Sequence, residues 1–86
     1  MPVISRFYGI VITMYFNDHN PPHFHAKYES RIAVFNIATQ EAIVGSLPPN
    51  ATKLVRQWAV LHEKELMRNW LSAKKDGKLK EIKPLE

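Results

Sequence analysis

The stretch Ala42-Ile43-Val44-Gly45-Ser46-Leu47-Pro48-Pro49-Asn50-Ala51-Thr52-Lys53-Leu54-Val55-Arg56-Gln57-Trp58-Ala59 decides the fold, because the period of the apolar residues changes within it. Ala42 to Val44 reads as a short strand that closes at Gly45. Pro48-Pro49 stops it, since proline fixes φ and removes a backbone donor. Asn50 is a suitable N-cap, and a helix is expected from Ala51 to about Lys75. Leu54, Val55, Trp58, Ala59, Leu61, Leu66 and Trp70 supply its wide apolar stripe, with His62 in or beside it. Gly77 stops the helix next to lysines that favour the negative end of its dipole.

Upstream of the switch, the period is two. Ile10, Ile12, Met14 and Phe16 alternate with Val11, Thr13 and Tyr15, so the first set is expected to face the core. A strand from Val3 to Phe7 precedes it, with a bend near Gly9. His23 to Glu29 alternates again, with Phe24, Ala26 and Tyr28 on one face and His23, His25, Lys27 and Glu29 on the other. Ile32 to Ile37 forms a further strand. The expected architecture is α+β: an antiparallel sheet of four to five strands with one long C-terminal helix packed on one face, the simplest way to bury both apolar surfaces. Residues 1–86 are read as a single domain, with strands over about 3–46, the helix over about 51–75 and a basic tail over 76–86.

Between two of these strands lies Asn17-Asp18-His19-Asn20-Pro21-Pro22-His23-Phe24-His25-Ala26, which holds three of the four histidines and two of the six prolines. Imidazole titrates near neutral pH and is the commonest metal ligand. Pro21 and Pro22 stiffen the corner and push the residues before them out of helical geometry. His23, His25 and Lys27 then project from one face of a strand, two imidazoles and an ammonium in a row. The site is expected here.

Composition sets bounds. A chain of 86 residues makes one small domain, in which roughly 60% of the unfolded surface is buried, and a partner subunit or homo-oligomer would suit so small a core. The absence of cysteine removes disulfides, thiolate metal sites and cysteine nucleophiles, and fits a reducing cytoplasm. Arg6 interrupts the apolar N-terminal stretch, so it is not read as a signal peptide, and no run approaches the ~20 apolar residues of a membrane span. The net charge of +4 falls entirely in residues 51–86 and concentrates in Lys74-Lys75-Asp76-Gly77-Lys78-Leu79-Lys80. That run is a solvated face or an electrostatic footprint for RNA or an acidic protein.

Taken together, Arg6-Phe7-Tyr8-Gly9, the Asp18-to-Ala26 run, and Trp58, Leu61-His62 and Asn69-Trp70 resemble the small prokaryotic domain-of-unknown-function 4160 family. The likeness covers nearly the whole chain. It implies a genetic setting beside a small partner of another uncharacterised family, domain of unknown function 2442, in pairs proposed to be toxin–antitoxin modules. The resemblance therefore implies a toxin whose partner is a cognate antitoxin-like protein. It implies no catalytic mechanism.

Three kinds of chemistry suit the histidine run. As a ribonuclease, the protein would use one histidine to take a proton from a ribose 2′-hydroxyl and a second to protonate the leaving oxygen. Arg6 or Lys27 would stabilise the charged phosphorane, and Tyr8 would orient a base or phosphate. The catalytic set is then His23, His25, His19, Arg6, Tyr8 and Asp18, with no cofactor required. As a metal site, His19, His23 and His25 would surround a divalent ion with Asp18 as a fourth or supporting group, although His-x3-His-x-His lacks the regularity of established zinc motifs. As a binding module without catalysis, the corner would present His19, Asn20 and Phe24 to a protein. A plain turn is the bland alternative: Asp18 and Asn20 hold the corner through side-chain turns, Arg6 pairs with Asp18, and His62 is a satisfied core histidine.

Overall fold

Alternation of apolar and polar residues is realised in five strands: β1 (Val3–Phe7), β2 (Ile10–Thr13), β3 (His23–Tyr28), β4 (Arg31–Asn36) and β5 (Ala42–Gly45). The structure is a computed structural model and describes residues 2–16 and 19–86. The strands form one antiparallel sheet in the order β1-β2-β3-β4-β5, so that strands consecutive in the chain are neighbours in the sheet. Two helices follow, α1 (Pro49–Leu61) and α2 (Glu63–Lys75). The α+β class and the antiparallel sheet are as the periodicity implies.

Register fixes which residues share a face. Ser5, Ile12, Ala26, Ala33 and Gly45 lie in one cross-strand row, and Phe24 pairs with Phe35. Partners directly opposite point to the same side of a sheet. This side is the core: Ile12, Phe24, Ala26 and Ala33 have no exposed surface. Trp58 of α1 meets it, its ring 5.3 Å from that of Phe7 and 5.7 Å from that of Phe24. Leu66 and Trp70 of α2 complete the cluster.

Four local expectations need correction. The single helix is two, divided at His62, whose backbone (φ −118, ψ 25) leaves helical geometry. The bonds from His62 N–H to the Trp58 carbonyl and from Leu66 N–H to the His62 carbonyl survive across the break, so the chain bends without unravelling. The helix starts at Pro49 with Pro48 at the cap, and Asn50 makes no capping bond; proline at the first helical position sacrifices a donor that had no partner there. Leu61, assigned to the apolar stripe, is 70% exposed because the helical turn sets it roughly a quarter-turn away from the face that buries Ala51, Val55, Trp58 and Ala59. Phe16, assigned to the core with Ile10, Ile12 and Met14, is 49% exposed because β2 ends at Thr13 and the period of two ends with it.

The basic segment after Gly77 is docked along the first edge of the sheet. Asn69, buried in α2, donates through Nδ2 to the Lys80 carbonyl (2.8 Å) and accepts from the Lys80 N–H (3.1 Å). The Ile82 N–H donates to the Ile4 carbonyl of β1 (2.7 Å), and Trp58 Nε1 donates to the Lys83 carbonyl (2.8 Å). Ile82 is buried, and Leu79 and Leu85 pack against the core. Among the described residues, no helix is long and apolar enough to cross a membrane.

Candidate functional site

The side of β3 opposite the core carries His23, His25 and Lys27. His25 stands across from Thr13 of β2 and Val34 of β4, Lys27 across from Val11 and Ile32, and His23 across from Asn36. Both imidazoles are half-buried and Lys27 is exposed. The rings of His23 and His25 are 5.5 Å apart, edge to face at 60°. The Tyr15 ring meets His25 edge-on at 4.5 Å, and the Trp70 ring lies 5.0 Å from His23. Lys74, one helical turn beyond Trp70, sets its ammonium 5.2 Å from the centre of that indole. An aromatic row with a cation at each end results, running Lys27, His25, His23, Trp70, Lys74.

The corner before β3 fixes the start of this row. The Asn20–Pro21 peptide bond is cis. His23 Nδ1 is 2.7 Å from the Pro21 carbonyl oxygen, to which the Nδ1–H tautomer donates. The Ile37 N–H donates to the Pro22 carbonyl (3.1 Å), which ties the corner to the end of β4.

The remaining expected residues divide by position. Arg6 is on the same face as His25, in the cross-strand row of Val11 and Lys27. With strands ~4.8 Å apart and residues rising ~3.3 Å, its backbone lies roughly 12 Å from that of His25, within reach of a long side chain serving one substrate from the flank. Tyr8 is elsewhere. Tyr8 and Gly9 have φ of 48 and 80 and close the two-residue hairpin between Phe7 and Ile10. That tip lies beyond the Ile10–Tyr28 pair, five residues along β3 from His23, or roughly 16 Å. The tyrosine beside His25 is Tyr15. His19 is exposed on the corner, and Asp18 lies outside the described residues.

Among the described residues, no three His, Cys, Asp or Glu side chains converge as a metal-holding group. The row itself brings together the imidazoles of His23 and His25. His62 sits at the helix bend, half-buried, with its ring 5.6 Å from Trp58 and its Nδ1 2.7 Å from Glu65 Oε1. It is a polar hinge residue and stands apart from the histidine row.

Sequence reasoning missed Tyr15, Trp70 and Lys74. The spacing of Trp70 and Lys74 on one helical face marks them as a pair. That the pair would meet His23 depends on how α2 docks, which no local pattern encodes.

A comparison with family models matches residues 9–71 to the family described as domain of unknown function (DUF4160), and this span contains Tyr15, His23, His25, Lys27 and Trp70. No curated protein and no solved structure matches the chain.

Proposed function

The chain belongs to the DUF4160 family, and we propose that it acts on RNA through the His23/His25 face, as the toxin of a toxin–antitoxin pair. One observation carries the RNA reading: two imidazoles whose centres are 5.5 Å apart share a face with Lys27 and adjoin the Trp70–Lys74 pair. General acid–base groups must come within about 2.6–3.2 Å of the protons they move. Two rings at this separation can both reach oxygens of one phosphodiester.

In the proposed reaction one imidazole removes the 2′-hydroxyl proton as that oxygen attacks phosphorus, and the other donates a proton to the departing 5′-oxygen. The products are a 2′,3′-cyclic phosphate and a free 5′-hydroxyl. Lys27 and Arg6 from the sheet, and Lys74 from α2, supply positive charge to the phosphorane. Tyr15, half-buried beside His25, offers a ring for a base. Asp18 and His19 belong to the proposal as supporting groups at the corner, and the step needs no metal.

The toxin half of the proposal rests on the genetic setting that the family resemblance implies, beside a small partner in pairs proposed to be toxin–antitoxin modules, and its partner is a cognate antitoxin-like protein in the cytoplasm. Tag-free protein incubated with structured and single-stranded RNA, with and without chelator, tests the chemistry. Cleavage that survives chelator supports the acid–base reading, cleavage lost with chelator moves it to a metal, and no cleavage contradicts it. Expression of the chain alone should slow bacterial growth and co-expression of the neighbouring gene should restore it. Unimpaired growth at verified expression contradicts the toxin assignment.

A further inference from the structure

The outer face of α1 carries a second surface, away from the histidine row. Ala51, Val55, Trp58 and Ala59 are the buried side of this helix. Its opposite side, where a small domain normally places polar residues, borders an open groove of about 940 Å³. Leu47, Val60, Leu61 and Leu85 give the groove its apolar surface, and Lys53 and Arg56 line it as well. Val60 is 60% exposed and Leu61 70%. No acidic side chain among the described residues lines it.

We infer that this groove seats an acidic amphipathic helix of a partner protein. The charge of the lining argues for the sign: Lys53 and Arg56, three residues apart on one helical face, attract carboxylates that flank an apolar stripe. The shape argues against a small molecule, which a site of this kind would normally bury by 70–90%. It also argues against an added strand, because the groove runs along a helix whose backbone groups are bonded internally and leave nothing for a strand to pair with. Leucine-type side chains at i, i+3, i+4 and i+7 of the partner would pack on Val60, Leu61 and Leu85, with Asp or Glu at the margins.

The inference does not rest on the RNA reading, and the two fail separately: RNA cleavage reads the histidine face, whereas the groove is read by peptide binding alone. The probes are three synthetic peptides of about 16 residues, long enough to turn helical on binding. One has leucines at i, i+3, i+4 and i+7 spacing among glutamates. A second has the same leucines among lysines, and a third replaces the leucines of the first by serine. Titrated into the full ¹⁵N-labelled chain, only the first should bind, shifting the amides of Lys53, Arg56, Val60, Leu61 and Leu85. Leu61→Asp should weaken it about tenfold or more. Lys53→Glu with Arg56→Glu should reverse the preference toward the lysine peptide. Equal binding of both charged peptides, shifts confined to other surfaces, or no binding at about 1 mM peptide would overturn the inference. So would self-association of the chain that Leu61→Asp disperses, which would make a second copy the occupant.

Discussion

The two sides of β3 differ in what they ask of their residues. Phe24 and Ala26 point toward the helices and have no exposed surface, while His23, His25 and Lys27, interleaved with them, point the other way and keep contact with solvent. The first side stabilises the fold through burial and dispersion. The second holds two imidazoles at a defined spacing without using them to fill the core. A six-residue strand thus serves stability and the proposed chemistry on alternate residues, and the two should be separable by substitution.

The largest effect is expected on the core side. Phe24 stacks on Phe35 at 5.7 Å and meets Trp58 edge-on, and Phe24→Ala should cost about 3–5 kcal/mol. In a domain of this size that approaches the whole stability. Urea denaturation should show a chain largely unfolded in water, and a loss below about 1 kcal/mol would mean that the core is not organised around this strand.

Asn69→Ala should come next. It removes both hydrogen bonds to Lys80 and leaves that backbone without them in a part-buried place, a cost of about 2 kcal/mol. The segment from Gly77 onward should lose hydrogen-exchange protection at Lys80 and Ile82 before the sheet does, and unchanged protection there would show that the strap is held by packing alone.

Gly45→Ala tests the last strand. Gly45 has φ of 71, and a Cβ there would run into the Ile32 carbonyl. The substitution should cost about 1–2 kcal/mol and act locally at the β4–β5 pair. A neutral melting temperature would show that this edge relaxes freely.

His62→Ala is the smallest stability effect expected, below about 1 kcal/mol. It removes a half-buried partner for the exposed Glu65 carboxylate and a ring contact with Trp58, yet leaves both backbone bonds across the bend. A larger loss would mean that the bend depends on the imidazole.

Most of the sheet and half of the candidate site were legible in the sequence, and the reason is the reach of each signal. A period of two fixes which residues of a strand share a face, so the row of His23, His25 and Lys27 needed no tertiary information. The corner was marked by Pro21-Pro22. The break at His62 carried no such mark: Trp58 to Leu66 keeps helical spacing through it, and neither glycine nor proline stands there. Nor could periodicity find the docked C-terminal segment, an irregular chain in which Ile82 is buried and Leu79 half-buried. Tyr8 and Tyr15 illustrate the same limit. Both adjoin β2, but only the hairpin geometry sends the first to the far tip and leaves the second beside His25.

The separation of the two sides of β3 is tested most directly by RNA cleavage measured on His23→Ala and His25→Ala at matched folded fraction, with His62→Ala as the reference. Loss of one acid–base group should lower the rate about 10²–10⁴-fold, while melting temperature falls by no more than about 1 kcal/mol would produce, since each ring is half-buried. His62→Ala should cleave as the unaltered chain does. Strand variants that cleave at the unaltered rate, or a loss that only follows the unfolded fraction, would contradict the account.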